Sequence, residues 1–224
     1  MNAIPIKICG LTREQDVQAS VAAGANAIGF VLYPPSPRYV TPTRAAELAA
    51  LLPAFVTPVL LFVNASAAEV EQAAGMVPGA WLQFHGDETP DFCQEMAQKL
   101  GRRWIRVARI PKETPEGAAP IDLLKYASDY SQAHALLLDT LVDAYGGSGS
   151  TFHWSQLPTN VNAHLVLSGG LTPANVADGI RAVHSRGRSL AVDVSSGVES
   201  AKGIKDADKI RAFVAAVRST PLAI

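Results

Sequence analysis

Eight short apolar runs, separated by longer segments of mixed character, set the rhythm of this chain. They fall at residues 4–9, 27–32, 58–63, 80–84, 104–107, 135–138, 165–167 and 190–194. None alternates strictly between apolar and polar residues, which is the pattern of strands buried on both faces of a parallel sheet. The segments between them carry helix signals. Thr12 precedes a helical stretch over 13–23 that runs into Gly24, a residue suited to a left-handed C-terminal cap. Thr41 caps a second helix, with Pro42 at its first position, extending to Leu52. Ser66 with Glu69 three residues on reads as a capping box. Thr89 or Pro90 opens a helix ending near Gly101, and Thr172 with Pro173 opens another towards Val183. Over 206–218, Ile210, Phe213, Val214 and Val217 recur at helical spacing. The segment after Asp139 is the exception: a loop rich in glycine and serine runs to Ser150, and only a short turn follows near 154–157.

Eight strands each followed by a helix-sized segment predict a parallel (β/α)8 barrel, a TIM barrel, with right-handed crossovers. No composition shift marks a second unit, so residues 1–224 are expected to form a single barrel domain. A doubly wound open sheet is the alternative. The first strand is not followed by Gly-x-Gly-x-x-Gly, and the eightfold count favours closure.

Composition agrees with this picture and removes other classes. With 224 residues, 48% hydrophobic and 17% charged, the chain suits one compact core. A net charge of −1 leaves no electrostatic footprint for nucleic acid, so any anion must be held by local groups. Cys9 and Cys93 are too few for a disulfide framework and lack metal-site spacing. Neither a secretory leader nor an apolar run of membrane-spanning length is evident, and the expected location is cytoplasmic.

A barrel gathers its chemistry where strands end, at the C-terminal mouth. Cys9 sits there, between the first strand and the turn at Gly10; it reads as a small buried hydrophobe or as a nucleophile or base. Lys7, two residues back, shares its face and is placed to stabilise a thiolate. Cys93, beside Phe92 and Met96 in a helical pattern, reads as packing. Asp139 ends the sixth run and serves either as a cap for the next turn or as a proton donor. Arg38 lies in a loop stiffened by Pro34, Pro35 and Pro37, which lowers the entropy cost of presenting a guanidinium to a carboxylate. Two turns, Ser168-Gly169-Gly170 and Ser195-Ser196-Gly197, follow the seventh and eighth strands, where barrels commonly cradle phosphate. Asn64 and Asp193 also fall at strand ends. His85 reads first as a packed histidine. Gly146-Gly147-Ser148-Gly149-Ser150 is a surface loop or a lid.

Taken together, Lys7-Ile8-Cys9-Gly10-Leu11, Ser36-Pro37-Arg38-Tyr39-Val40, Phe62-Val63-Asn64 and His85-Gly86-Asp87-Glu88 form a recognisable set. So do Leu138-Asp139-Thr140, Leu167-Ser168-Gly169-Gly170-Leu171, Asp193-Val194-Ser195-Ser196-Gly197-Val198-Glu199 and Gly203-Ile204-Lys205-Asp206. From Lys7 to the last helix, the chain resembles the phosphoribosylanthranilate isomerase family. The resemblance implies an Amadori rearrangement of an aminoaldose to an aminoketose on the route from anthranilate to tryptophan. It implies Asp139 as general acid, Cys9 as base, Arg38 as binder of the anthranilate carboxylate, and the two glycine turns as the phosphate site. His85 and Asp193 match further substrate-side positions. It implies no metal and no organic cofactor; the chain has little excess beyond one barrel, so no obligatory protein partner is expected. Phe84, Ser148 and His153 depart from the family pattern, which bears on lid motion rather than on the reaction. The related aminoaldose isomerase of histidine biosynthesis is a rival, but it has an aspartate at the position of Cys9 and needs a second glycine-rich cradle. A catalytically silent phosphosugar-binding barrel is the reading of a different class, opposed by the presence of both Cys9 and Asp139.

Overall fold

The computed structural model describes residues 3–112, 121–141, 151 and 153–222. Eight parallel strands close into a barrel in sequence order. They are β1 (Ile6–Cys9), β2 (Ala27–Val31), β3 (Thr57–Phe62), β4 (Trp81–Phe84), β5 (Trp104–Pro111), β6 (Ala135–Leu141), β7 (His164–Leu167) and β8 (Ser189–Val194). Closure comes from β1 pairing with β8, where Lys7 is in register with Asp193.

The alternation along each strand explains why the runs are apolar throughout. On β1, Ile6 and Ile8 face the helices and join the large outer core. Lys7 and Cys9, of opposite parity, face the interior. Inside the barrel, Ile105, Val107, Ala135, Leu137 and Val166 form a separate plug. Above it, a small apolar group of Val31, Leu61 and Val63 surrounds Cys9. The interior therefore changes from apolar to polar towards the C-terminal mouth.

The ring of helices comprises α1 (Glu14–Ala23), α2 (Pro42–Ala49), α3 (Ala67–Met76), α4 (Pro90–Leu100), α5 (Leu123–Asp129), α6 (Val176–Val183) and α7 (Ala207–Ser219). Several expected caps are present. Thr41 and Thr89 accept from backbone N–H groups of the first turn, Ser66 and Glu69 form the capping box, and Gly24 and Gly101 are left-handed. Between β6 and β7 the described residues hold only a single 3-10 turn, Trp154–Gln156. The loop over 146–150 lies outside the described residues.

Three local expectations are corrected. Thr12 does not cap α1; Arg13 occupies that position, and the Thr12 hydroxyl donates to the carbonyl of Gly203. Pro173 does not start α6, because Asn175 first bridges the turn, accepting from Thr172 N and donating to Gly170 O. Asp139 is not beyond its strand but within it, since β6 pairs with β5 as far as Leu141. A short hairpin, β9 (Glu199–Ala201) with β10 (Ile204–Lys205), was not anticipated.

Candidate active site

Cys9, Arg38, His85, Asp139, Ser168, Gly169, Gly170, Asp193, Ser195 and Ser196 all line one cavity at the C-terminal mouth. Gly197, Asn64 and Lys7 lie outside that lining. Gly197 packs beneath it, where an added Cβ would stand 1.8 Å from the carbonyl oxygen of Leu171. Its glycine serves close packing of the two turns. Asn64 turns away as well, with its side chain engaged to Asp87. Cys93 is fully buried among the outer helices, and burial pushes its thiol up to about 12. A roomier cavity opens at the opposite, N-terminal end, with a largely apolar lining. Among the candidates above, only Lys7 reaches it.

Beside Cys9 a chain of contacts runs from Lys7 through Asp193 to Ser168. The Lys7 ammonium donates to Asp193 Oδ1 at 2.7 Å, and Ser168 Oγ donates to Asp193 Oδ2 at 3.0 Å. Lys7 and Asp193 are both almost wholly buried. Burial alone lowers Lys7, but Asp193 and then Cys9 raise it above its ordinary value, so it stays charged. Burial pushes the Cys9 thiol up, and the Lys7 charge opposes that by favouring the thiolate. Gly29, in register with Cys9 on β2, makes room for both groups: a Cβ there would stand 2.7 Å from Cys9 Sγ and 3.0 Å from Lys7 Nζ.

On β6, Asp139 Oδ1 accepts from the backbone N–H of Thr140 at 2.8 Å. Its Oδ2 lies 3.1 Å from His85 Nε2. That approach is not aligned as a hydrogen bond, and among the described residues neither buried Nε2 nor Oε1 of Gln83, which sequence reasoning missed, has a hydrogen-bond partner. Both residues line the cavity, where a water or a ligand could complete such atoms. The backbone on either side of His85 is held by a buried pair, Arg106 with Glu88 at 2.8 Å, in which Arg106 donates to Phe84 O and Gly86 O. Glu88 accepts the N–H groups of Asn64 and Gly86, tying together the loops after β3 and β4.

The two turns differ from those loops in what their amides do. Among the described residues, the N–H groups of Gly169, Gly170, Ser195 and Ser196 find no protein acceptor. Gly169 and Gly170 both sit at positive φ, 77° and 64°. Successive amides in that conformation form a concave anion-binding nest. Across the cavity, Arg38 is buried and grips an internal carboxylate, with Nε and Nη2 donating to Glu199 at 2.7 and 2.8 Å. That uses the side-on edge of the guanidinium. Three of its five N–H donors, including both on Nη1, remain for a second carboxylate. Among the described residues, no group of three or more His, Cys, Asp or Glu is disposed to hold a metal ion. Nor is any helix there long and apolar enough to cross a membrane.

Comparison with known proteins agrees with this geometry. The family model described as N-(5'phosphoribosyl)anthranilate (PRA) isomerase matches residues 6–216. The N-(5'-phosphoribosyl)anthranilate isomerase of Dechloromonas aromatica is 53% identical over 213 residues, 95% of each chain. Among solved structures, phosphoribosyl anthranilate isomerase from Thermotoga maritima superposes with a TM-score of 0.81 at 38% identity, covering 96% of this chain and 98% of that one. Another phosphoribosyl anthranilate isomerase, in complex with reduced 1-(o-carboxyphenylamino)-1-deoxyribulose 5-phosphate, is 33% identical with a TM-score of 0.75, over 96% of this chain and 98% of its own.

Proposed function

Because the chain belongs to the N-(5'-phosphoribosyl)anthranilate isomerase family, we propose that its mouth performs that isomerisation with Asp139 as general acid and Cys9 as base. The observation that carries the assignment is a buried thiol beside a fixed ammonium, sharing one cavity with an aspartate on β6, between an amide nest and an arginine.

In this reading the phosphate sits on the free amides of Gly169, Gly170, Ser195 and Ser196, with the Ser168 side chain at the same rim. The aryl ring lies over Val31, Leu61 and Val63, and its carboxylate takes the free edge of Arg38. Asp139 gives its proton to the ribose ring oxygen as the C1'–O bond breaks, leaving an open-chain iminium. The Cys9 thiolate removes the C2' proton, and the electron pair moves through C1'=C2' towards nitrogen to give the enolamine. The enolamine then gains a proton at C1' from Cys9 and yields its C2' hydroxyl proton to Asp139. The ketone is formed, and both residues end in the states in which they began. Lys7 offsets the cost of a buried thiolate; Asp193 holds Lys7 and, through Ser168, touches the phosphate rim. In the same reading His85 Nε2 hydrogen-bonds a sugar hydroxyl near Asp139. The reaction is the third step from anthranilate towards tryptophan, and a cytosolic location belongs to the same reading.

The histidine-pathway alternative needs a second anion cradle across the mouth. There the backbone N–H groups of Asn64, Gly86 and Asp87 are spent on Glu88 and Asn64. The test is loss of anthranilate-type fluorescence when purified protein meets phosphoribosylanthranilate made in situ, corrected for spontaneous hydrolysis. Rapid loss with aminoketose formation is expected. Cys9→Ala and Asp139→Asn are expected to abolish turnover while still binding a reduced product analogue. Near-normal turnover in either variant refutes its role.

A further inference from the structure

The hairpin of β9 and β10 belongs neither to the barrel nor to the groups placed in the reaction, yet it is held from three sides. The Thr12 hydroxyl donates to Gly203 O at 3.0 Å, and Lys205 N donates to Asp16 Oδ2 at 3.2 Å. Gly203, at φ 79°, lies so close to the proline-rich loop that a Cβ would stand 2.6 Å from Pro37 O. A hairpin fixed this tightly has a defined geometry to transmit.

Its two ends carry charge into the site. Glu199 Oε1 accepts from both Arg38 Nε at 2.7 Å and Lys205 Nζ at 2.8 Å, while Oε2 accepts from Arg38 Nη2. The same Lys205 ammonium reaches the phosphate turn, donating to Ser195 O at 3.0 Å and Ser195 Oγ at 3.3 Å. One buried carboxylate is thus shared by two buried cations. The cluster carries one net positive charge beneath a site whose ligand brings a carboxylate and a phosphate. Burial would raise Glu199, but Arg38 and Lys205 hold it below the ordinary carboxylate range; burial lowers Lys205 against the pull of Glu199. Because the guanidinium is rigid and planar, fixing its side-on edge fixes the direction of the free edge.

We propose that Glu199 and Lys205 are positioning residues that couple the two ends of the substrate site, linking the orientation of Arg38 to that of the phosphate turn at Ser195. The inference rests on the isomerase reading above for its substrate, and on the ion cluster for its mechanism. Coupling of this kind is reciprocal: what disturbs one end must weaken a ligand at the other.

The experiment measures steady-state isomerisation and competitive inhibition by two fragments, inorganic phosphate and anthranilate, for wild type, E199Q and K205R. Glu199→Gln is expected to raise KM by roughly tenfold or more. It is also expected to raise the phosphate inhibition constant, although Glu199 does not contact the phosphate turn, with kcat changed by less than about threefold. Lys205→Arg keeps the charge but not the compact three-way grip of the ammonium. It is expected to weaken anthranilate, a fragment that does not reach Ser195. Loss of kcat alone, with KM and both inhibition constants unchanged, overturns the proposal, as a merely structural role gives that result. A raised KM in E199Q with unchanged phosphate inhibition also overturns it, reducing Glu199 to a local support for Arg38. If E199Q does not fold, unchanged anthranilate inhibition in K205R refutes the coupling by itself. A wild-type protein that folds but does not isomerise removes the functional reading instead, a distinct outcome.

Discussion

Gly29→Ala tests the geometry of the proposed base without replacing a titratable group. The new methyl would stand 2.7 Å from Cys9 Sγ, about 0.7 Å short of the 3.4 Å at which ordinary contact begins. It would also press on Cys9 Cα at 3.1 Å, which belongs to the backbone of β1 and cannot yield freely. Lys7 Nζ, the end of a long side chain, can retreat from its 3.0 Å approach only by straining its pair with Asp193. The thiol must therefore rotate or move by several tenths of an ångström. Forcing a methyl into a packed site costs roughly 1–3 kcal/mol of stability, about 2–12 °C of Tm for a chain of this size. In turnover the loss is larger, since a misplacement near 1 Å costs on the order of a hundredfold. We expect kcat to fall by roughly 10- to 100-fold, with KM within about threefold because Arg38 and the phosphate turns are unaffected. The assay is the fluorescence decay described above, with thermal melting in parallel. Gly75→Ala is the control: it sits in α3 with nothing within 4 Å of the added Cβ. It should keep kcat and gain roughly 0.5–1 kcal/mol. A Gly29→Ala enzyme with kcat within threefold of wild type would falsify the claim that Cys9 must be held where it is.

Three further substitutions probe the surrounding shell. Lys7→Gln keeps a donor for Asp193 but removes the charge that favours the thiolate, so the thiol rises further above its ordinary value. Its kcat/KM loss should be greatest at neutral pH and shrink as pH rises; a pH profile parallel to wild type contradicts this. Gly197→Ala places a methyl 1.8 Å from Leu171 O and must part the two turns, so KM and phosphate inhibition should both weaken by roughly tenfold or more. Glu88→Ala leaves buried Arg106 without its counter-charge and frees the N–H groups of Asn64 and Gly86. It should cost about 3–5 kcal/mol in denaturant titration, and an unchanged midpoint speaks against that pair as the support of His85.

The strands were legible because each is buried on both sides, so apolar runs of strand length sufficed to find all eight. Where a run was broken, the boundary failed. β5 continues past Val107 through Ala108, Arg109 and Ile110 to Pro111. Helix caps were legible where the capping residue had no other employment, as at Ser66, and illegible at Thr12, whose hydroxyl is taken by Gly203 far along the chain. The mouth residues could be nominated from their place at strand ends, but their partners could not. Lys7 and Asp193 are 186 residues apart, and Arg38 and Glu199 are 161 apart. Only closure of the ring brings such residues together, and Glu199 and Lys205 carried no local signal of chemistry.

That closure has a meaning for synthesis of the protein. Of the barrel strands β1 is made first and β8 last, and Lys7 meets its counter-ion only across the seam between them. A growing or prematurely ended chain that lacks β8 has the thiol of Cys9 but no aspartate to hold the ammonium beside it, and no turn at Ser195 and Ser196. Partial products thus carry the proposed base without the ion pair that steadies its neighbouring ammonium, and that setting arrives only with the last strand of the barrel.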